Sequence, residues 1–147
     1  MRVYLDNCCF NRPYDDQEQL RIHIESQAKI YIQYLIKTKS IELASSFVLR
    51  FENSNNPYDI RKNAINQFIE SNSFVFIDET LSDYVTQKAK IIMQAGIKFY
   101  DACHVACAIL SKCDFFLTTD KRLLKFMTDE IQMANPVDFI TFWEERQ

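Results

Sequence analysis

The sequence predicts one α/β domain over residues 1–147, in which a parallel sheet of four or five strands lies between two layers of helices. Short apolar segments alternate with longer segments of helical periodicity, which is the pattern of parallel strands joined by crossover helices. A chain of 147 residues has the usual length of one domain. Hydrophobic residues make up 48% of the chain and aromatic residues 14%, which favours a well-filled core.

The N-terminal part predicts a strand followed by a long helix. Residues 2–6 form the strand, because bulky residues that favour strands dominate it. Residues 16–38 form the helix, with Asp15 or Asp16 as its N-terminal cap. The apolar residues that recur at helical spacing in it are Leu20, Ile24, Ala28, Tyr31 and Leu35.

A second strand and two more helices follow. The strand is predicted over 41–46, and Ser45 or Ser46 caps a helix through SFVLRFENS that stops before Asn55. Another helix spans about 58–71. Its apolar face comprises Ile60, Ala64, Ile65, Phe68 and Ile69.

The second half of the chain repeats the alternation. Strands are predicted over 74–78, 114–119 and 131–136. Thr80 caps the helix that follows the first of them, and Gly96 ends that helix. Further helices are predicted over 99–113, in DKRLLKFM and in PVDFITFWEERQ, where Pro136 stands at the start.

The composition excludes several classes of function. Gly96 is the only glycine, so glycine-rich phosphate loops of the GxGxxG and GxxxxGK types are absent. The formal net charge of −3 means that a nucleic acid would be bound through local patches or through metal ions. The sequence shows neither a signal-peptide pattern nor an apolar stretch of about 18 residues. Because the five cysteines are also an odd number, we expect a cytoplasmic protein without disulfides or membrane segments.

Four acidic residues lie at strand ends or on the helices beside them. Asp6 ends the first predicted strand, and Asp120 follows the fourth. Glu52 lies on the helix after the second strand, and Asp101 begins an otherwise uncharged helix. Each alone has a simpler interpretation, as a turn or cap residue, a solvated helix residue or a partner of the helix dipole.

Together the four acids predict a metal site. In a doubly wound sheet the first and fourth strands are neighbours across a switch point, and ligands bind outside the carboxyl ends of such strands. Like charges placed that close raise each other's pKa unless a cation is present. Oxygen ligands without a histidine cluster indicate Mg²⁺ or Mn²⁺, which would bind phosphate oxygens and activate a water.

Four segments carry a family resemblance in their order along the chain. VYLDNC contains the first acid and SFVLRFENS the second, YDACHVACAI is similar to a D-A-x-H-x-A helix start, and FFLTTDKRLLK to a strand followed by Thr-x-Asp. Over nearly its whole length the chain resembles the PIN-domain ribonucleases, particularly the VapC-like toxins of bacterial toxin–antitoxin pairs. The last two segments are the specific ones. The sequence departs from the family at Asn7, where the family usually has Thr or Ser.

The resemblance implies a PIN-like three-layer α/β/α fold and the activity of a Mg²⁺- or Mn²⁺-dependent endoribonuclease. The implied substrate is single-stranded or structured RNA, cut by water. The toxin type also implies an antitoxin protein as partner. The metal-binding acids that the resemblance implies are Asp6, Glu52, Asp101 and Asp120.

Polar and basic residues near the acids are candidates for binding substrate or for holding the acids in place. Those we single out are Asn7, Thr118, Arg12 and Lys121. A local positive rim suited to RNA would comprise Arg12, Lys98, Lys121, Arg122 and Lys125, unless these are ordinary solvated charges.

Other groups with chemical potential are better explained by packing. Cys103 and Cys107 are spaced for a zinc site, but their helix is rich in small apolar residues, so we expect both in the core. We expect His104 to be a packed, hydrogen-bonded residue beside Asp101 rather than a ligand. The terminal FITFW stretch is expected to be core or a dimer face, and the protein a homodimer.

Two further classes of function compete with the nuclease. One is a PIN-like module without catalytic activity that binds RNA or a partner; four acids suit phosphate binding poorly without metal. The other is a receiver-like domain in which a strand-end aspartate accepts phosphate. That class needs a paired acid beside the first strand and a lysine at the last, and it leaves Asp101 without a role.

Overall fold

A computed structural model describes residues 1–147 and contains five short strands and eight α-helices. The strands are β1 (Arg2–Leu5), β2 (Glu42–Ser46), β3 (Ser73–Ile77), β4 (Phe115–Leu117) and β5 (Gln132–Ala134). The helices are α1 (Asn7–Asn11), α2 (Leu20–Lys37), α3 (Phe47–Ser54), α4 (Asp59–Asn72), α5 (Ser82–Met93), α6 (Phe99–Leu110), α7 (Lys121–Leu124) and α8 (Pro136–Glu145). The predicted alternation of strands and helices is confirmed.

The five strands form one parallel sheet in the order β3-β2-β1-β4-β5. β1 is central and pairs with β4 in the register Val3 to Phe115 and Leu5 to Leu117. The connections run outward from β1 to β3 and then cross back to β4, so the switch point lies between β1 and β4. This confirms the predicted neighbourhood of the first and fourth strands, whose carboxyl ends now share one edge.

Helices cover both faces of the sheet, because right-handed crossovers that run in opposite directions place their helices on opposite sides. On one side α2 packs against α8, and on the other α5 packs against α6. Phe139 of the terminal stretch is fully buried, and its ring meets Phe115 of β4 edge-on at 5.2 Å between centroids. No helix of the protein combines the length and the apolar character that crossing a membrane requires.

The segment after β1 differs from the prediction. It forms α1 and a turn of 3-10 helix over Arg12–Tyr14, so α2 begins only at Leu20. The expectation that Asp15 or Asp16 caps this helix was wrong, because the residue at its N-terminus is Gln19, which makes no side-chain capping bond.

The apolar face predicted for α2 was also largely wrong. Leu20 is 71% exposed, and Ile24 and Tyr31 are exposed as well. The buried face includes polar residues, because the neighbouring 3-10 turn provides partners for them: Glu25 binds the Arg12 guanidinium, and the Ser26 hydroxyl donates to the Arg12 carbonyl at 2.9 Å.

Helix boundaries elsewhere are close to those expected. Ser46 caps α3 by accepting from the backbone N–H of Leu49 at 3.2 Å, as predicted. After β3, however, the cap is Asp78 and not Thr80: the Thr80 N–H donates to the Asp78 carboxylate at 3.0 Å. A 3-10 turn intervenes before α5 begins at Ser82.

The predicted end of α5 and the predicted apolar face of α4 agree with the structure in part. The chain leaves α5 through Gly96, whose φ of +88° lies in the region that favours glycine. Ile65, Phe68 and Ile69 of α4 are buried as predicted, whereas Ile60 at its start is exposed.

Candidate active site

Asp6 lies at the carboxyl edge of the sheet, one residue beyond β1. Its backbone N–H continues the β1–β4 pairing by donating to the Leu117 carbonyl at 2.9 Å. The residue is only 6% exposed. Its Oδ2 accepts from the Thr118 hydroxyl at 3.0 Å and from the Cys8 thiol at 3.3 Å. The fold therefore holds a buried carboxylate at the point where parallel sheets bind ligands.

Asp6 is at the same time the cap of α1. Its Oδ1 accepts from the backbone N–H of Asn7 at 2.8 Å. Capping and a place in a site are therefore not alternatives here, because the two oxygens serve different partners. Burial, with a contribution from the negative charge of Glu52, raises the pKa of Asp6, although His104 and the hydrogen bonds from Thr118 and Cys8 oppose this.

His104 fixes Glu52. The imidazole is almost fully buried on α6, and its Nε2 is hydrogen-bonded to the Glu52 carboxylate. Its Nδ1 lies 2.7 Å from the Tyr4 hydroxyl, which in turn lies 2.7 Å from the hydroxyl of Ser46. This chain of contacts runs from the core to the half-exposed carboxylate and sets its position. The expectation that His104 is packed and hydrogen-bonded is met.

The His104–Glu52 pair favours charge on both partners. Burial alone would raise the pKa of Glu52, but the hydrogen bond and charge of His104, with help from the Asn7 amide, lower it. Burial alone would lower the pKa of His104, but Glu52, Asp6 and Asp101 raise it. The site thus keeps Glu52 ionised although the surroundings are partly dry.

Asp101 and Asp120 complete the acidic edge. Asp101, in the first turn of α6, is half-buried, and its pKa is raised by burial and then by the negative charges of Asp6 and Asp120. Asp120 caps α7 by accepting from the Arg122 N–H at 2.8 Å. Its own N–H donates to the Thr118 hydroxyl oxygen at 3.0 Å. Thr118 therefore connects Asp6 to Asp120.

Asp6, Glu52 and His104 meet closely enough to share a cation, whereas Asp101 and Asp120 lie outside this close group. One carboxylate oxygen each of Asp6 and Glu52 and one ring nitrogen of His104 all lie within 4.8 Å of one another. Both His104 nitrogens already have partners, so carboxylate oxygens are the donors left to a metal. Crowded carboxylate oxygens, two of them in groups whose pKa is raised (Asp6 and Asp101), suit a hard divalent cation such as Mg²⁺ or Mn²⁺.

The remaining sequence candidates occupy different places. The Asn7 backbone holds Asp6, while its amide group helps lower the pKa of Glu52. The Arg12 guanidinium pairs with Glu25 at 3.0 Å and with Asp15 at 3.1 Å, and with none of the four proposed metal-binding acids. Lys121 is exposed directly after Asp120.

Sequence reasoning missed two contributors. Tyr4 had no assigned role, yet a hydroxyl-bearing residue among the aliphatic residues of β1 is the type that needs a buried partner, which His104 provides. Cys8 also had no assigned role, and its thiol contacts the Asp6 carboxylate. Cys103 and Cys107, as expected, are buried in the core.

Comparison with known proteins gives a fold likeness only. No known family model matches the chain, and no curated protein matches it at a significant level. VapBC2 from Rickettsia felis, in a crystal structure bound to a DNA fragment from their promoter, has a chain similar at a TM-score of 0.56 and 14% identity, covering 92% of this chain and 98% of that one. FitAcB from Neisseria gonorrhoeae has a chain similar at a TM-score of 0.54 and 18% identity, covering 91% of this chain and 97% of that one. The likeness confirms the three-layer fold that the PIN-domain resemblance implies.

Proposed function

We propose that the protein is a metal-dependent endoribonuclease that hydrolyses RNA phosphodiester bonds, with Mg²⁺ or Mn²⁺ as cofactor. The observation that carries this proposal is the buried Asp6 carboxylate within 4.8 Å of Glu52 and His104 at the carboxyl edge of the sheet. The proposed metal-holding and catalytic acids are Asp6, Glu52, Asp101 and Asp120. The fold likeness to VapBC2 and FitAcB supports the same class of protein.

A divalent cation held by these acids would neutralise phosphate oxygens and lower the pKa of a bound water. The chain's own residues prepare the place for it. Thr118 holds Asp6 and Asp120 in a fixed relation. His104 keeps Glu52 ionised and oriented, so that it can accept a proton or position a water. Lys121, exposed beside Asp120, is placed to meet a phosphate of the substrate.

The proposed biological setting is that of a cytoplasmic toxin with an antitoxin partner, acting as a homodimer. The resemblance to the VapC-like toxins implies the antitoxin, and the likeness to VapBC2 supports it. The competing function is a PIN-like module that binds RNA or a partner without cutting. The nuclease would cut RNA at the acidic edge, whereas the module would leave the RNA intact.

The decisive test is RNA cleavage by the purified protein with Mn²⁺, with Mg²⁺ and with excess chelator. We expect fragments of a labelled RNA with either metal and none with the chelator. Because a contaminating ribonuclease is the main risk, Asp101→Asn purified in parallel is the control and should leave the RNA intact. Binding without cleavage under all conditions would favour the competing module, and cleavage in chelator would exclude the metal mechanism.

A further inference from the structure

We propose that Phe51 and Tyr100 form a stacking surface beside the acids that selects an unpaired base of the substrate RNA. This inference rests on the proposed function and narrows it. Phe51 is the residue before Glu52 on α3, and Tyr100 is the residue before Asp101 on α6. Two of the four acids thus each have an aromatic neighbour.

The two rings are nearly parallel and close to each other. Their planes differ by 15°, and their centroids are 6.4 Å apart. The ring of Phe99 meets Tyr100 edge-on, with centroids 5.6 Å apart, and supports its orientation. Three aromatic side chains from two helices therefore meet in a fixed arrangement rather than scattering over the surface.

The surface is open to solvent, unlike the aromatic core. Phe51 is 54% exposed and Tyr100 is 59% exposed, so apolar ring faces remain in water. Stacking of a base on such a ring is worth about 1–3 kcal/mol and tolerates any base, because each has a π-face. A paired base in a duplex is already stacked on both sides and is not free to use it.

The surface also has a fixed relation to the acids. Tyr100 precedes His104 by four residues, so the two lie on the same side of α6. His104 contacts Glu52, while Tyr100 contacts Phe51, one residue earlier on α3. The α3–α6 contact thus has an inner polar half and an outer aromatic half. A base stacked on the outer half places its backbone phosphate beside the inner carboxylates.

Charge favours a nucleic acid over a protein as occupant. Lys98, the N-cap residue of α6 beside these aromatic residues, is exposed and makes no ion pair. It can therefore meet a phosphate of the same strand. An apolar protein surface laid over the rings would also cover the neighbouring acids Asp101 and Glu52, and covering charges without pairing them is costly.

The test compares cleavage and binding of a labelled oligouridine of about 12 nucleotides with those of a hairpin duplex. The variants are Tyr100→Ala and Phe51→Ala, with Tyr100→Phe to restore the ring and Tyr100→Leu to keep apolar area without a flat face. The matched control is Tyr34→Ala, because Tyr34 is 58% exposed and stacks on Tyr31 at 5.9 Å, but on α2. Binding is measured by fluorescence anisotropy with Mn²⁺, in the Asp101→Asn background wherever the protein would otherwise cut the RNA, and the oligomeric state is measured by sedimentation.

We expect the wild type to prefer the single strand and both alanine variants to raise KM and Kd for it by roughly fivefold or more. Tyr100→Phe should restore both values, Tyr100→Leu should not, and Tyr34→Ala should match the wild type. Unchanged KM and Kd in the alanine variants would overturn the stacking surface. So would a loss of subunit association in Tyr100→Ala, which would make the rings a protein interface.

The stacking surface and the nuclease activity can fail separately. If the wild type cuts no RNA but binds the single strand, and Tyr100→Ala weakens that binding, the surface stands and the nuclease is wrong. If cleavage is metal-dependent and both alanine variants keep the wild-type KM, the nuclease stands and the surface is wrong. A wild type that neither cuts nor binds RNA overturns both.

Discussion

The buried hydroxyl of Thr118 donates a hydrogen bond of 3.0 Å to the carboxylate of Asp6. The two residues follow the neighbouring strands β4 and β1, so the bond joins the strands at the edge where the acids collect. The same oxygen accepts from the Asp120 N–H. One side chain therefore sets the position of two proposed metal-holding acids and lowers the pKa of one of them.

Replacing Thr118 by Val tests this role, since the two side chains have nearly the same shape. In the wild type the hydrogen bond from Thr118 favours the ionised form of Asp6. Because the variant loses this bond, the pKa of Asp6 should rise further. A group that must be ionised then loses its charge at higher pH, and the acid limb of the pH–rate profile should move upward. Stability should fall by about 1–3 kcal/mol, the usual effect of losing a hydrogen bond to a charged group.

The control for this experiment is Thr119→Val, because the side chain of Thr119 is buried next door but makes no hydrogen bond to Asp6. It should leave the pH–rate profile in place. A Thr118→Val enzyme with the wild-type profile would show that this hydroxyl does not tune the reacting group.

The burial of Lys29 destabilises the folded protein at neutral pH, so replacing this residue should increase stability. It is buried on α2 without an acidic partner; its amine donates to Gln33 at 2.6 Å, and burial lowers its pKa to about 8 from 10.5. Below pH 8 the folded protein holds a costly buried charge, and between pH 8 and 10.5 it releases the proton before the unfolded chain does. Stability should therefore rise with pH across this window, by roughly 3 kcal/mol in all.

Lys29→Met should remove both the cost and the pH dependence, raising the free energy of unfolding at pH 7 by about 1–3 kcal/mol. Urea melts at pH 7 and at pH 10 measure it, with exposed Lys90→Met on α5 as control. A Lys29→Met protein that is less stable than the wild type at pH 7 would mean that the amine has a partner that offsets its burial.

Asp101→Asn should abolish cleavage and leave the fold as stable as before, or more so. Burial and the charges of Asp6 and Asp120 raise the pKa of Asp101, so its ionised form is less favoured in the folded protein than in the unfolded chain. Removing the charge relieves that repulsion. Circular dichroism and thermal melts check the fold beside the cleavage assay; an unfolded variant would make Asp101 structural, and a folded, active one would move the site elsewhere.

The positions of Asp6 and Asp120 at strand ends could be predicted from the sequence because the signals that mark strand ends are local. Asp6 and Asp120 follow apolar strands, and the parallel alternation alone brings such ends together. The segment after β1 was missed because tertiary partners decide it: Glu25 and Lys29 are buried on a helix whose apolar periodicity indicates another face. The Tyr4–His104 contact joins residues 100 positions apart, and no sequence pattern marks it.

On the proposed mechanism Asp6 holds a divalent cation and does more than cap α1. Asp78 is the matched control, since it follows β3 as Asp6 follows β1 and caps the next turn, but lies exposed and outside the cluster. Asparagine caps a helix about as well as aspartate, so neither Asp→Asn variant should lose much stability as a cap. Only the loss of a ligand distinguishes the two positions.

The most direct measurement is the shift in melting temperature that Mn²⁺ produces in the wild type, Asp6→Asn and Asp78→Asn. A cation that binds the folded state stabilises it by mass action, by roughly 3 kcal/mol at about 100 times Kd. We predict a clear upward shift for the wild type and Asp78→Asn, and a much smaller one for Asp6→Asn, because a neutral amide is a poor ligand for a hard cation. An equal shift in all three proteins would show that Asp6 does not hold the cation and is only a helix cap.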